Sequence, residues 1–246
     1  MTVLYDTIGK GYANHRKPDP RIAAQIADAL GDTQTIINIG AGTGSYEIPG
    51  RHIAAVEPSA EMIAQRAPGA LKPVRGTAES IPFPDKRFDA ATAFLTTHHW
   101  TDLEKGLSEM KRVARKRCVF FDQEFSQIDF WLLNDYFPEM RTQLKPLLPL
   151  DRARTVFPKL RTVPVPVPHD CTDGFMCAYW RRPEAYLDPG VRTAISFFAI
   201  AQDVEPKIEH LRRDLEDGTW ERRNGHLRHE TQKDFGYRLV IADIED

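Results

Sequence analysis

Cysteine is scarce in this chain: Cys118, Cys171 and Cys177 form no Cys-x-x-Cys pair and are too few and too irregularly placed for a disulfide framework. They read as reduced thiols. No apolar run approaches a membrane span, and Met1-Thr2-Val3-Leu4-Tyr5-Asp6 lacks the basic-then-apolar layout of a signal peptide. A cytoplasmic protein without a membrane partner is expected. Charge of one sign is lacking too. The 33 Lys and Arg are matched by 35 Asp and Glu, a formal net charge of -2 at pH 7, so no global field draws nucleic acid. Basic runs do occur at Lys111 to Arg117 and Arg222 to Arg228; the first is expected to close a helix, where cations suit the dipole. No cluster of His, Cys or Asp shows ligand spacing, so no metal is expected.

What is present is enough for a full core. With 41% hydrophobic and 10% aromatic residues, 246 residues read as one domain carrying an insertion rather than two domains.

The chain is organised around Thr35-Ile36-Ile37-Asn38-Ile39-Gly40-Ala41-Gly42-Thr43-Gly44-Ser45-Tyr46-Glu47, a short apolar strand running into alternating glycines. Such a loop lets backbone approach a ligand where a Cβ would collide. A dinucleotide fingerprint would need a third glycine three residues after Gly42, where Ser45 stands, so pyrophosphate binding is the poorer reading. A second strand, Ile53-Ala54-Ala55-Val56-Glu57-Pro58-Ser59, ends in a carboxylate placed to accept hydrogen bonds from ribose hydroxyls.

Taken in order, Ile37-Asn38-Ile39-Gly40-Ala41-Gly42-Thr43-Gly44, Val56-Glu57-Pro58-Ser59 and Phe88-Asp89-Ala90-Ala91-Thr92-Ala93 leading to His98-His99-Trp100 resemble the class I S-adenosylmethionine (SAM) dependent methyltransferases. The similarity is to the small-molecule subgroup (methyltransferase type 11) related to the ubiquinone and menaquinone methyltransferases, and covers roughly the first half of the chain. It implies an α/β, Rossmann-like fold whose seven-stranded, mostly parallel sheet runs three, two, one, four, five, seven, six, the last strand antiparallel. It also implies SAM as cofactor, with S-adenosylhomocysteine (SAH) as product, and cofactor contacts at Asn38, Gly40, Ala41, Gly42, Glu57, Pro58, Thr77, Ala78, Glu79, Ala93 and Phe94. Met62 would lie on the adenine or fill core. Tyr12 and Arg16 would sit near the methionyl carboxylate, or be exposed and solvated. Many members carry an acid where Asn38 stands, which leaves the cofactor ammonium more dependent on backbone carbonyls.

Local signals fill in the elements. Asp19-Pro20 starts a helix with Ile22, Ile26, Ala29 and Leu30 on one face and Gly31 at its end. Ser59 caps a short helix, Thr101-Asp102-Leu103-Glu104 is a capping box for another, and Arg117 to Asp122 is strand five. Pro73 confines Leu71 to Arg75 to a sheet edge. In Val163-Pro164-Val165-Pro166-Val167-Pro168 the three missing donors can all face an open edge while the valines pair inward, and Tyr237 to Ala242 is the last strand. The division is one domain over 1–246: an N-terminal cover and first helix, 1–34; a SAM-binding core, 35–122; substrate-lid insertions, 123–160 and 170–218; and the last strand, 237–242.

The insertions hold more large rings than a nucleotide sheet needs, so they are expected to wall an acceptor pocket, with core packing and a dimer interface as competing sinks. Trp100, Trp131, Asp135, His169 and Tyr179 are the substrate candidates. Methyl transfer requires positioning and, for some nucleophiles, a base; His98, His99 and Asp122 are the catalytic candidates, the histidines being either bases or hydrogen-bonded structural imidazoles. The expected function is methylation of a small, planar or partly aromatic metabolite at N, O or C in secondary metabolism, by a monomer or homodimer. The alternative is a methyltransferase-fold protein that binds SAM or SAH without transferring methyl. An RNA or protein methyltransferase is disfavoured by the charge balance and the lack of an Asn/Asp-Pro-Pro-Tyr motif.

Overall fold

A computed structural model describes residues 11–125 and 128–244. Leu4 to Lys10, part of the expected N-terminal cover, lie outside the described residues. Helix α1 (Tyr12–His15) is a single turn. Helix α2 (Pro20–Leu30) begins as expected: the Asp19 side chain accepts the Arg21 amide, and Pro20 sits in the first turn, where its missing N–H leaves nothing unpaired. Its buried face is Ile22, Ile26, Ala29 and Leu30.

Strands β1 (Thr35–Ile39), β2 (His52–Glu57), β3 (Val74–Arg75), β4 (Phe88–Phe94), β5 (Ala114–Gln123) and β6 (Arg161–Pro164) are followed by a two-residue pair, β7 (Val167–Pro168) and β8 (Gln232–Lys233), and by β9 (Tyr237–Asp243). The main sheet has seven strands in the order β3-β2-β1-β4-β5-β9-β6, with β9 antiparallel to both neighbours, as expected. Asp89 ties its centre: one carboxylate oxygen accepts both the Gln34 and Thr35 amides, which holds the starts of β1 and β4 in register.

Three local expectations are corrected. The proline-alternating run does not stay on one edge: β6 pairs with β9 up to Pro164, the Val165 amide bonds the Tyr237 carbonyl, and Val167–Pro168 then leaves to pair with β8. Strand five begins at Ala114, directly after helix α4 (Leu103–Val113), so Arg115 to Arg117 belong to a strand and only Lys111 and Arg112 close the helix. The cap of α4 is Asp102, which accepts the Lys105 amide; Glu79 takes the amides of Thr101 and Asp102.

Side-chain alternation sorts the core. One face of the sheet (Ile36, Ala90, Val119, Phe121, Leu239, Ile241) packs on α2 and on the rings of both insertions. The other (Ile37, Ala91, Ala93, Cys118, Phe120, Val240) packs on α4 and on helix α5 (Leu150–Val156). Core packing therefore takes many of the insertion rings: Trp131 lies edge-on to Trp220 and Tyr186, and its indole N–H donates to the Trp180 carbonyl at 2.7 Å.

Candidate functional site

The glycine loop leaves β1 toward the C-terminal ends of the parallel strands, the place where open α/β sheets hold ligands. Four of its amides are already engaged. Gly40 and Ala41 donate to the Val56 carbonyl, Gly44 to the Ala41 carbonyl, and Gly42 to Glu57 Oε2 at 2.7 Å. A pyrophosphate cradle needs such groups free, so the geometry counts against the dinucleotide reading. Gly40 is demanded from within: its φ is 67°, and a Cβ there would lie 2.2 Å from the Thr96 hydroxyl. Glu57, 5% exposed, fixes both sides of the site, because its other oxygen accepts the amide of Ser59, the cap of helix α3 (Ala60–Ala64). Met62 of α3 packs beneath Gly42.

A cavity of about 40 Å³ runs along the loop, lined by Gly40, Ala41, Asn38, Phe94, Tyr12 and Arg16 among others. Asn38 is buried, its carbonyl oxygen 3.4 Å from the Thr92 hydroxyl. Arg16 donates to Asp173 Oδ1 and to the Tyr12 hydroxyl, both at 2.5 Å, and Tyr46 donates to the same Asp173 carboxylate. Two non-glycine residues here adopt left-handed backbone, Tyr46 at φ 61° and Leu95 at φ 51°. Strain of this kind gathers where surrounding structure over-determines a functional site. Of the other expected cofactor contacts, Pro58, Thr77, Ala78, Glu79 and Ala93 do not line this cavity: Ala78 and Ala93 are buried, and Glu79 is committed to the start of α4.

A second cavity of about 270 Å³ adjoins the first, and the two share Arg16 and Leu95. Both insertions build it: Phe125 and residues 143–147 come from one, Phe175, Met176, Ile195, Ser196, Phe197 and Ile200 from the other, with Tyr237 and Gln123 contributed by the sheet. None of the five substrate candidates lines it. Trp131 is core, Trp100 packs against Gly106 on the opposite face, Asp135 meets Asn224, His169 pairs with Asp170, and Tyr179 stacks under Arg182. The sites that were missed, Phe125, Phe175, Ile200 and Lys145, carried no periodic signal that separates a wall from a core.

Of the catalytic candidates, His98 faces this cavity. It is open to the cavity but surrounded by protein, and burial, His99 and Arg16 together push its pKa down to about 3. His99, with its ring centroid 3.7 Å from that of His98, is pushed down to about 4 by burial. Asp122 is not on the cavity; strand alternation turns Gln123 there instead. Asp122 is 3% exposed, and burial raises its pKa well above the carboxylate range, opposed only by the Thr97 hydrogen bond. The neutral acid fits its partners. Thr97 Oγ1 lies 3.0 Å from Asp122 Oδ2 and 2.9 Å from the Leu147 carbonyl, so a protonated Asp122 donates to Thr97, which donates onward to Leu147.

A methyltransferase-domain model matches residues 37–121. A protein described as a methyltransferase from an antibiotic biosynthesis pathway of Anabaena variabilis is 35% identical, with a TM-score of 0.84 over 93% of this chain and 98% of its own. The chain belongs to the SAM-dependent methyltransferases. The ubiquinone/menaquinone biosynthesis C-methyltransferase of Brucella canis is 26% identical over 152 residues, 56% of each chain. The chain spans about half the length of that curated relative and less of others. A [4+2]-cyclase, 16% identical with a TM-score of 0.54 over 98% of this chain and 94% of its own, shares the fold alone.

The cofactor of the family is SAM, and the donor set of this methyltransferase fits it. A buried carboxylate that could accept from ribose hydroxyls ends β2, a glycine-rich loop lies beside it, and the loop cavity is lined by a guanidinium and a tyrosine hydroxyl that could face a carboxylate. Among the described residues no helix is long and apolar enough to cross a membrane.

Proposed function

We propose that this protein transfers a methyl group from SAM to a small, planar, largely apolar metabolite. The observation that carries this reading is the meeting of two cavities at Arg16 and Leu95, one along the glycine loop and one walled by both insertions. SAM, when bound, supplies an electrophilic methyl group on a sulfonium. Glu57 accepts hydrogen bonds from the ribose, Arg16 and Tyr12 orient the methionyl carboxylate, and Met62, Ala78 and Phe94 supply apolar contact to the adenosine and methionyl portions. About 270 Å³ is just below the usual range of ligand pockets, roughly 300–1,000 Å³, which favours a small acceptor. Phe125, Phe175 and Phe197 exclude water and stack a planar ring.

His98, neutral at physiological pH, accepts a hydrogen bond from the acceptor and orients it. A group pushed down to about 3 is a weak base, so the acceptor atom is already nucleophilic when it binds. A cytoplasmic pathway of secondary metabolism suits this chemistry, with a monomer or homodimer acting on a small molecule and neither nucleic acid nor membrane engaged; the antibiotic-pathway relative supports that setting. The competing reading is a protein that binds SAM or SAH without transfer, and the shared fold of a [4+2]-cyclase keeps it in view. Incubating the protein with isotopically labelled SAM and small-molecule extracts separates them. A labelled low-mass product supports transfer; tight SAM binding with no labelled product in any extract overturns it.

A further inference from the structure

We propose that the acceptor is an aromatic acid held by its carboxylate at Lys145, with the methylated atom at the opposite end of the molecule. This rests on the reading of the larger cavity as the acceptor site. Among the described residues lining that cavity there are two cations, Arg16 and Lys145, and no Asp or Glu. Arg16 is already balanced by Asp173 at 2.5 Å. Lys145 forms no ion pair or hydrogen bond among the described residues, so its charge is the uncompensated one. His98 is uncharged at neutral pH, and the Gln123 amide is committed to the Phe235 carbonyl at 2.9 Å.

A cavity walled by Phe125, Phe175, Phe197 and Tyr237 desolvates a ring, and among its described lining residues the one uncompensated charge is positive. Such a site disfavours a cationic amine, which would meet Lys145 without a carboxylate to offset either charge. The direction of binding follows from position. Lys145 is solvent-exposed and marks the outer end, whereas Arg16 and Leu95, shared with the glycine-loop cavity, mark the inner end. A carboxylate at Lys145 therefore points away from the cofactor, so that carboxylate is not the group methylated.

The test is calorimetry on SAH-saturated protein with 4-hydroxybenzoate, cinnamate and indole-3-acetate, each against its primary amide, and with tyramine and tryptamine. At least one acid is expected to bind about ten-fold more tightly than its amide, the scale of one hydrogen bond to a charged group. Lys145→Gln is expected to remove that preference and Lys145→Glu to turn it toward the amines, with SAH affinity unchanged within about two-fold, well under that ten-fold. If no acid outbinds its amide, binding of none included, or if Lys145→Gln leaves the preference intact, the inference is wrong. Failure of SAH to bind would instead defeat the cofactor reading, and the same titrations without SAH would still decide the charge preference of the cavity.

Discussion

Arg16 and Asp173, 157 residues apart in sequence, form a buried ion pair in which Arg16 Nε lies 2.5 Å from Asp173 Oδ1. The carboxylate is fully buried and also accepts the Tyr46 hydroxyl at 2.9 Å. Next to it the Gly174 amide donates to the His15 carbonyl. One acid thus joins the N-terminal segment, the flank of the glycine loop and the second insertion at the seam between the two cavities.

Removing only one member of such a pair strands a charge in a place without water. Asp173→Ala is expected to destabilise the fold by about 3–5 kcal/mol and Asp173→Asn by less, since the amide still accepts from Tyr46. Urea unfolding reads both values. Two variants of equal, small cost would mean that the pair is solvated and does not tie the segments together.

Glu57 holds the Gly42 and Ser59 amides, and ribose hydroxyls would share the same two oxygens. Glu57→Ala is expected to weaken SAH binding by about 1.5–3 kcal/mol, roughly ten-fold or more, and to lower unfolding free energy as well. Glu57→Gln keeps one acceptor oxygen and should fall between. Calorimetry on variants shown to be folded by circular dichroism is the measurement, and wild-type affinity in Glu57→Ala would remove Glu57 from the cofactor site.

Asp122 makes a pH prediction whose sign is fixed by its direction of shift. Its folded pKa is raised by burial, so as pH climbs above the ordinary carboxylate value of about 3.9 the unfolded chain loses a proton that the native chain keeps. Stability from this group is present at acid pH and declines with rising pH up to the folded pKa, by about 1.4 kcal/mol per pH unit. Asp122→Asn, which imitates the neutral acid, should match wild type near pH 4 and exceed it at pH 8. Melting curves across that range test it; a wild-type advantage that grows with pH would show an ionised Asp122.

The histidines shift the other way. Below an ordinary value of about 6.5 the unfolded chain takes up a proton that His99 refuses until about 4, so its neutral burial costs stability as pH falls through that window, whereas His98, open to the cavity, contributes less. In the larger cavity the same shift leaves His98 uncharged from pH 5.5 to 8. A kcat/KM profile over that interval is therefore expected to show no histidine inflection. An inflection that disappears in His98→Gln would assign His98 a normal pKa and a base role.

The parts of the fold that could be read from sequence were those with a local cause. Asp19-Pro20 and Ser59 write their own helix starts, and the glycine loop with Glu57 marks the strand ends of one well-populated architecture. The proline run was only half legible, because its alternation says which donors are missing but not that Val165 is the last residue to pair with β9. Asp122 and Gln123 were adjacent choices separated only by which face each side chain takes, a decision made by the insertions that pack there. Trp131 and Phe125 are alike as sequence, yet one donates to Trp180 inside the core and the other lines a cavity. Three-dimensional packing makes that distinction, and composition does not carry it.

That distinction makes the last prediction. Trp131→Ala deletes a buried ring and its hydrogen bond and is expected to cost about 3–5 kcal/mol of stability, so any loss of turnover there reports unfolding. Ile200, on helix α6 (Ser196–Ile200), is 60% exposed yet lines the larger cavity, so it can be enlarged with little strain on the core. Ile200→Trp should leave stability within about 0.5 kcal/mol, as surface substitutions generally do. It should also narrow the mouth, raising the acceptor KM by about ten-fold, or 1.4 kcal/mol, while SAH affinity holds. Unfolding curves, SAH calorimetry and acceptor kinetics on this one variant separate the three quantities. An unchanged acceptor KM in a folded Ile200→Trp protein would place the acceptor elsewhere than between the two insertions.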